Sequence, residues 1–148
     1  MSPIKLSFRR AAADDAVWLA AHRFSFGEAP QDRELRERYA RWVAPKIERA
    51  EYIGWLGCAE DRVVAGAGAV LLDWGPHDAG ALRARLCNVF TDAAWRRRGV
   101  AGALVQRVVD DVRAAGIRAI GLSASDAGAV LYRRMGFEPS ASEMLLRL

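Results

Sequence analysis

The stretch from Leu86 to Gly102 constrains the fold most. Leu86-Cys87-Asn88-Val89-Phe90-Thr91 is an apolar run of strand length, and after Asp92-Ala93-Ala94-Trp95 it passes into Arg96-Arg97-Arg98-Gly99-Val100-Ala101-Gly102. From Gly99 to Ala115, residues Val100, Ala103, Leu104, Val108 and Val112 recur at helical spacing, and Gly116 stands where a helix stops. A buried strand therefore runs into a glycine-bearing helix N-terminus. At such a turn successive main-chain N–H groups point at one place and the helix dipole adds positive potential, which makes an anion pocket suited to a pyrophosphate. A plainer reading also stands: Gly99 and Gly102 serve close helix packing, and the three arginines are a solvated helix start. The stretch is not a Walker loop, since no Gly-Lys-Ser/Thr follows, and the three-glycine dinucleotide fingerprint is absent.

Around it the pattern alternates between strand and helix. Ile4 to Phe8 places Ile4, Leu6 and Phe8 on one side of a strand. A helix follows, with Asp14 and Asp15 at its N-terminus and Val17, Trp18, Ala21 and Phe24 at helical spacing. Ser25 to Pro30 is a loop, and a second helix runs from Asp32 to about Ala44, where Pro45 ends or kinks it. Tyr52 to Ala59 and Val63 to Leu72 form a hairpin through Glu60-Asp61-Arg62, with Gly66 and Gly68 weakening its second strand. Asp73 to Ala81 is a loop. After the long helix come a strand at Ile117 to Ser123, a short helix from Asp126 to Met135 closed by Gly136, and a terminal apolar strand at Ser142 to Leu148. Antiparallel strands come first and α/β crossovers second, which implies a mixed, mostly antiparallel sheet with helices on its faces.

A chain of 148 residues carrying 52% hydrophobic and 27% charged residues is long and apolar enough for one globular domain spanning 1–148, which excludes a disordered or disulfide-stapled chain. Cys58 and Cys87 lie in apolar surroundings and are expected to be free, buried thiols with no metal. The N-terminus has no room for a signal-peptide core or membrane span, so a cytoplasmic location is expected. With only Lys5 and Lys46 among its bases, the chain has 20 arginines and a net charge of +4. Acids and bases are well mixed, however, and no nucleic-acid motif or basic stripe emerges.

At this point the sequence resembles the GNAT superfamily of acyl-CoA-dependent N-acetyltransferases. Its signature Q/R-x-x-G-x-G/A is met by Arg96, Gly99 and Ala101, the preceding strand by Asn88-Val89-Phe90-Thr91, and the late Tyr-x-x-x-Gly-Phe segment by Tyr132, Gly136 and Phe137. The resemblance implies an α/β single-domain fold with a twisted sheet of about six to seven strands flanked by about four helices. It also implies acetyl-CoA as cosubstrate, without a metal. Arg96, Arg97, Arg98, Gly99, Val100, Ala101 and Gly102 would form the pyrophosphate turn, with the amides from Arg97 to Gly102 as the cradle. Val89, Phe90 and Thr91 would lie along the pantetheine arm, Val89 and Thr91 pairing through their main chain. A main-chain N–H near Val89 would stabilise the oxyanion of a tetrahedral intermediate. Tyr132 would be the general acid that protonates the leaving thiolate; read without the resemblance, it is a core aromatic on an amphipathic helix. Many members carry Asn where this chain has Ser125, and Ala where it has Gly128, so Ser125 is a shorter-reaching ligand.

The amine side is less defined by the pattern. An ammonium substrate must lose a proton before attack, and Glu28 is the candidate base, with Asp73 a second loop acid and His22 and His77 weaker candidates. Asn88, polar in an apolar strand, must find hydrogen bonds; it positions the substrate or a water, or it pins a bulge. Trp42 and Trp74 are candidates to wall the acceptor pocket, while most of the tryptophans are expected to fill core or interface. The expected activity is acetyl transfer to a small-molecule or peptide amine by direct attack, with no nucleic-acid or membrane partner and with a homodimer formed through the terminal strand. The alternatives are a CoA-binding regulator without turnover and a basic nucleic-acid-binding module.

Overall fold

The hairpin expected between Tyr52 and Leu72 is the centre of the sheet. Strands β2 (Tyr52–Ala59) and β3 (Arg62–Asp73) pair antiparallel, and the connection tightens to Glu60-Asp61 because Glu60 takes a left-handed conformation, φ 55°. In this computed structural model, which describes residues 5–25, 32–73, 75, 82–140 and 144–148, β1 (Leu6–Arg10) adds to β2 and β4 (Leu82–Thr91) to β3, both antiparallel. The last strand, β5 (Ile120–Gly121), runs parallel to β4 through only two registered pairs, Ala84 with Ile120 and Arg85 with Gly121. The sheet order is β1-β2-β3-β4-β5.

Among the described residues four α-helices flank the sheet: α1 (Ala16–Arg23), α2 (Arg33–Glu48), α3 (Val100–Ala114) and α4 (Asp126–Arg134), with single 3-10 turns at Ala13–Asp15 and Ala93–Trp95. The Asp32 carboxylate caps α2 by accepting from the Leu35 N–H at 2.9 Å. That helix continues through Pro45 to Glu48. A proline in the last turn removes only its own N–H, and its carbonyl still accepts from Arg49 at 3.1 Å. Asp15, 7% exposed, takes both nitrogens of the Arg9 guanidinium at 2.7 and 2.8 Å and ties α1 to β1. No helix among the described residues is long and apolar enough to cross a membrane.

The core has two layers. On one face of the sheet Ala65, Ala67, Ala69, Ala84 and Leu86 pack under Val100, Leu104, Val105, Val108 and Val112 of α3. On the other, Leu19 and Val43 of α1 and α2 pack on Tyr52 and Leu56. The alternation Ala65-Gly66-Ala67-Gly68-Ala69 does not weaken β3, which is twelve residues long. Its small side chains let α3 approach on one face and ring side chains lie flat on the other. A Cβ at Gly68 would overlap the hydroxyl of Tyr52, whose ring is 2% exposed and has nowhere to move. Gly68→Ala is therefore expected to destabilise the fold by about 1–3 kcal/mol, the cost of overpacking a filled site; urea unfolding of the two proteins checks this.

Three expectations about the strands differ from the structure. The sheet has five strands among the described residues rather than six or seven, and the stretch Ile117 to Ser123 forms a strand only at Ile120–Gly121. Residues 144–148 lie in no strand, although part of that run, 141–143, falls outside the described residues. Met144, Leu145, Leu146 and Leu148 are all exposed. A strand with apolar residues on both faces needs cover on both, and β5 is too short to offer a long pairing edge.

Candidate active site

The site is built where β4 leaves its neighbours. Cys87 registers with Gly68 and Phe90 with Gly66, so two residues of β4, Asn88 and Val89, stand opposite one, Ala67. This is a β-bulge. Asn88 carries it in the left-handed region at φ 55°, where asparagine is among the better tolerated side chains. The extra residue reverses the alternation of the strand. Ala84 and Leu86 face α3 before the bulge, and after it Val89 packs toward α3 while the Phe90 ring lies on the α1 side. β5 registers with β4 only as far as Arg85, so among the described residues no strand pairs with that edge of β4 from Leu86 onward.

The turn from Thr91 into α3 lines a cleft with α4. Arg97 and Gly99 both take positive φ, 61° and 75°, and the Arg96 Nε donates to the Thr91 carbonyl at 3.0 Å. Helix α3 begins at Gly99 with no side-chain cap; the first helical bond of this turn is Ala103 N–H to Gly99 carbonyl at 3.1 Å. The amides of Val100, Ala101 and Gly102 thus precede the first carbonyl-bonded N–H of the helix, the place where an anion is stabilised. They lie on a cleft of about 600 Å³ together with Thr91, Arg96 and Arg97. The Thr91 hydroxyl is buried without a hydrogen-bond partner among the described residues. An uncapped helix start and an orphaned hydroxyl in one cleft fit the oxygen-rich pyrophosphate of CoA.

Sequence reading missed the far wall. Trp95, Ala127, Val130, Leu131 and Arg134 also line the cleft. The last four share one face of α4 at helical spacing, a periodicity visible in the sequence, but only the packing of α4 across α3 turns that face toward Thr91. The arginine run separates into individual roles: Arg96 holds the turn, Arg97 lines the cleft, and the guanidinium of Arg98 lies over the Trp95 ring, 5.2 Å from its centroid.

Tyr132 and Ser125 fall on the neighbouring face of α4. Ser125 caps that helix, its Oγ accepting from the Gly128 N–H at 3.1 Å, which leaves its hydroxyl proton free to donate. A Cβ at Gly128 would sit 3.2 Å from the Tyr132 ring and 3.3 Å from Ser125 Oγ, so the glycine lets serine and tyrosine pack side by side. The Tyr132 ring is half-buried, packs on the α3-side core and meets Phe137 edge-on at 5.7 Å. Its hydroxyl has no hydrogen bond among the described residues. Burial raises its pKa above the ordinary phenol value, and since burial favours the neutral form, the phenol keeps its proton throughout the neutral range.

On the other face of β4 a polar network sits in the core. Asn88, 7% exposed, donates from Nδ2 to the hydroxyls of Tyr39 on α2 at 2.7 Å and Tyr52 on β2 at 2.9 Å, and its Oδ1 is buried without a partner among the described residues. Burial pushes the Tyr39 pKa up to about 12 and that of Tyr52 well above the ordinary value, so both phenols are neutral. His22, 4% exposed, stacks on Phe90 at 4.6 Å and lies against Gly66, where a Cβ would come within 2.7 Å of Nδ1. Burial lowers its pKa to about 4, against the opposing charge of Asp92. It is a neutral packing group at pH 7.

Asp73, at the end of β3, is exposed and accepts from the Gly75 N–H at 2.9 Å, the ordinary work of a turn acid. Glu28, Trp74 and His77 lie outside the described residues. Trp18 and Trp42 remain 41% and 43% exposed, so core filling does not account for them; Trp42 packs at 5.4 Å from Tyr39. Cys58 is buried and Cys87 half-buried, both as free thiols, and no cluster of metal-binding side chains occurs among the described residues.

A bulged β4 leading into an uncapped helix start, in a mixed sheet flanked by helices, defines the class, a mixed α/β domain. The family model for the acetyltransferase (GNAT) domain matches residues 7–140, and the chain belongs to that family. It is 36% identical over 113 residues to an uncharacterized N-acetyltransferase in the hisH-hisA intergenic region of Azospirillum brasilense, an overlap of 75% of this chain and 62% of that protein. The chain thus spans 62% of the length of that curated relative. A GCN5-related N-acetyltransferase from Ralstonia eutropha JMP134 superposes with a TM-score of 0.87 at 26% identity, covering 97% of this chain and 99% of that one. A protein of Clostridium acetobutylicum described as a predicted acetyltransferase, solved with acetyl-CoA, superposes at 0.86 with 19% identity, covering 97% and 96%, which shows the shared fold.

Proposed function

We propose that the protein transfers the acetyl group of acetyl-CoA to a primary amine by direct attack of the amine on the thioester. The observation that carries this reading is the cleft in which the uncapped start of α3 and the Thr91 hydroxyl, without a partner among the described residues, converge at the end of β4. Bound acetyl-CoA supplies an acyl group already activated as a thioester. The chain does the rest. Main-chain amides from Arg97 to Gly102 hold the pyrophosphate, and the guanidinium groups of Arg97 and Arg134 on the cleft wall add positive charge. The main chain of Val89 and Thr91 pairs with the pantetheine arm as an added strand, beyond the last β4–β5 pair at Arg85. The main-chain N–H at Val89, in the bulge opposite Ala67, is the donor to the oxygen that gains charge during attack. Tyr132 gives its proton to the departing sulfur. The proton of the attacking ammonium is assigned on sequence grounds to Glu28. Ser125, beside Tyr132, uses its remaining hydroxyl proton toward the amide arm.

Ligand-dependent melting tests the reading. Acetyl-CoA at about 100 times its Kd is expected to stabilise the native state by ~2.7 kcal/mol, a rise in Tm of about 5–10 °C for a domain of this size. Duplex DNA at physiological salt is expected to leave Tm unchanged. No shift with acetyl-CoA overturns the assignment. Thiol release from acetyl-CoA across a library of amines then separates an enzyme from a CoA-binding regulator and identifies the acceptor.

A further inference from the structure

The bulge in β4 is held from beneath, and the clamp bears on the chemistry above it. We infer that Asn88 is a positioning residue for acetyl transfer: clamped between the hydroxyls of Tyr39 and Tyr52, it fixes the left-handed bulge that aims the main chain at Val89 toward the thioester carbonyl. The inference rests on the proposed acetyl transfer and adds to it the device that sets the donor.

Three observations carry it. Asn88 is the residue of β4 at φ 55°, and it opens the two-against-one mismatch with Ala67 that turns Val89 to the α3 face. Its amide is used twice, at 2.7 and 2.9 Å, by hydroxyls from two different elements, α2 and β2. One of those rings is completely locked, because Tyr52 is 2% exposed and its hydroxyl fills the space that a side chain at position 68 would take. Phenol hydroxyls both donate and accept, so either orientation of the carboxamide is served. A left-handed residue in a strand costs conformational energy and persists where surrounding contacts over-determine it. Here the contacts reach the bulge from the side opposite the acetyl-CoA cleft, so acetyl-CoA need not be bound for the donor to be in place. Preorganised donors of this kind raise the rate without strengthening ground-state binding.

The substitutions Asn88→Ala and Asn88→Gly separate backbone geometry from general packing. Alanine loses the clamp and resists positive φ, whereas glycine loses the clamp and takes positive φ freely. Asn88→Ala is expected to lower kcat about 10-fold or more, with KM for acetyl-CoA within about 3-fold of the wild type, and Asn88→Gly to recover only part of that loss, since glycine restores the positive φ but not the clamp. A readout independent of turnover is the infrared carbonyl stretch of bound acetyl-CoA carrying 13C in the carbonyl. It should move to lower frequency on binding the wild type, return toward the free value in Asn88→Ala, and move back down in Asn88→Gly. Equal bands and equal kcat in wild type and Asn88→Ala overturn the inference, as does a glycine variant no nearer the wild type than the alanine one. Should Asn88→Ala fail to fold, Tyr39→Phe carries the test, since Tyr39 is only half-buried; it is expected to show a smaller retreat of the band and a loss of several-fold in kcat, and an unchanged band and kcat overturn the inference. If the wild type itself gives no melting shift with acetyl-CoA, it is the acetyl-transfer reading that fails.

Discussion

Tyr132→Phe is expected to lower kcat by about 100-fold or more, the usual contribution of a positioned general acid, while acetyl-CoA affinity stays within about 3-fold of the wild type. The ring packs against the α3-side core and Phe137, and phenylalanine keeps that packing, so the fold should survive. The hydroxyl that is lost has no other partner among the described residues, so no structural hydrogen bond goes with it. The pH profile separates an acid from a spacer. A group that must donate a proton is active below its pKa and inactive above it, and burial moves that pKa up from the ordinary phenol value. Wild-type kcat should therefore hold through the neutral range and decline only on the far alkaline side, and Tyr132→Phe should lose that decline as well as the rate. Undiminished turnover in the variant would return Tyr132 to a packing role.

Ala101→Glu should have the opposite signature, loss of cofactor with gain of stability. Ala101 is the second residue of α3 and lines the cleft. A carboxylate there satisfies the uncapped helix start and should add about 0.3–1 kcal/mol to stability. It also places negative charge where the pyrophosphate is to sit. Acetyl-CoA affinity is expected to fall at least about 100-fold, equal to ~2.7 kcal/mol, with Tm of the unliganded protein unchanged or higher. Calorimetric titration of both proteins decides it, and an unchanged Kd would remove the pyrophosphate from this turn.

Much of the turn into α3, the proposed phosphate site, was legible because it is local. A glycine at the helix start announces left-handed backbone within a few residues, and Gly99 indeed takes φ 75°. The periodicity of Val100, Leu104, Val108 and Val112 alone identifies the buried face of α3. Arg97 was not legible in the same way. Its φ of 61° is unusual for an arginine, and nothing in the run Arg96-Arg97-Arg98 distinguishes the residue that lines the cleft from the one that stacks on Trp95. Gly66 and Gly68 misled, since a strand glycine reads as weakness until the rings it accommodates, His22 and Tyr52, are seen against it. The terminal run failed for a related reason. Its apolar content suits a strand, but pairing depends on an edge, and β5 provides two residues of one.

Asn88 marks the boundary between the two sources of information. Its polarity in an apolar strand says that hydrogen bonds must exist, and its sequence says nothing of where. The partners are 49 and 36 residues away along the chain. By itself the sequence determined the order of elements as far as α4, the glycine-bearing start of α3 and the family, because turn chemistry and hydrophobic period act over a handful of residues. Only the tertiary structure decided which hydroxyls hold the Asn88 amide, and that the Thr91 hydroxyl and the half-buried Tyr132 phenol have no hydrogen-bond partner among the described residues. Those properties are set by burial and by contacts between distant segments, and they come into being when the two helical layers close on the sheet.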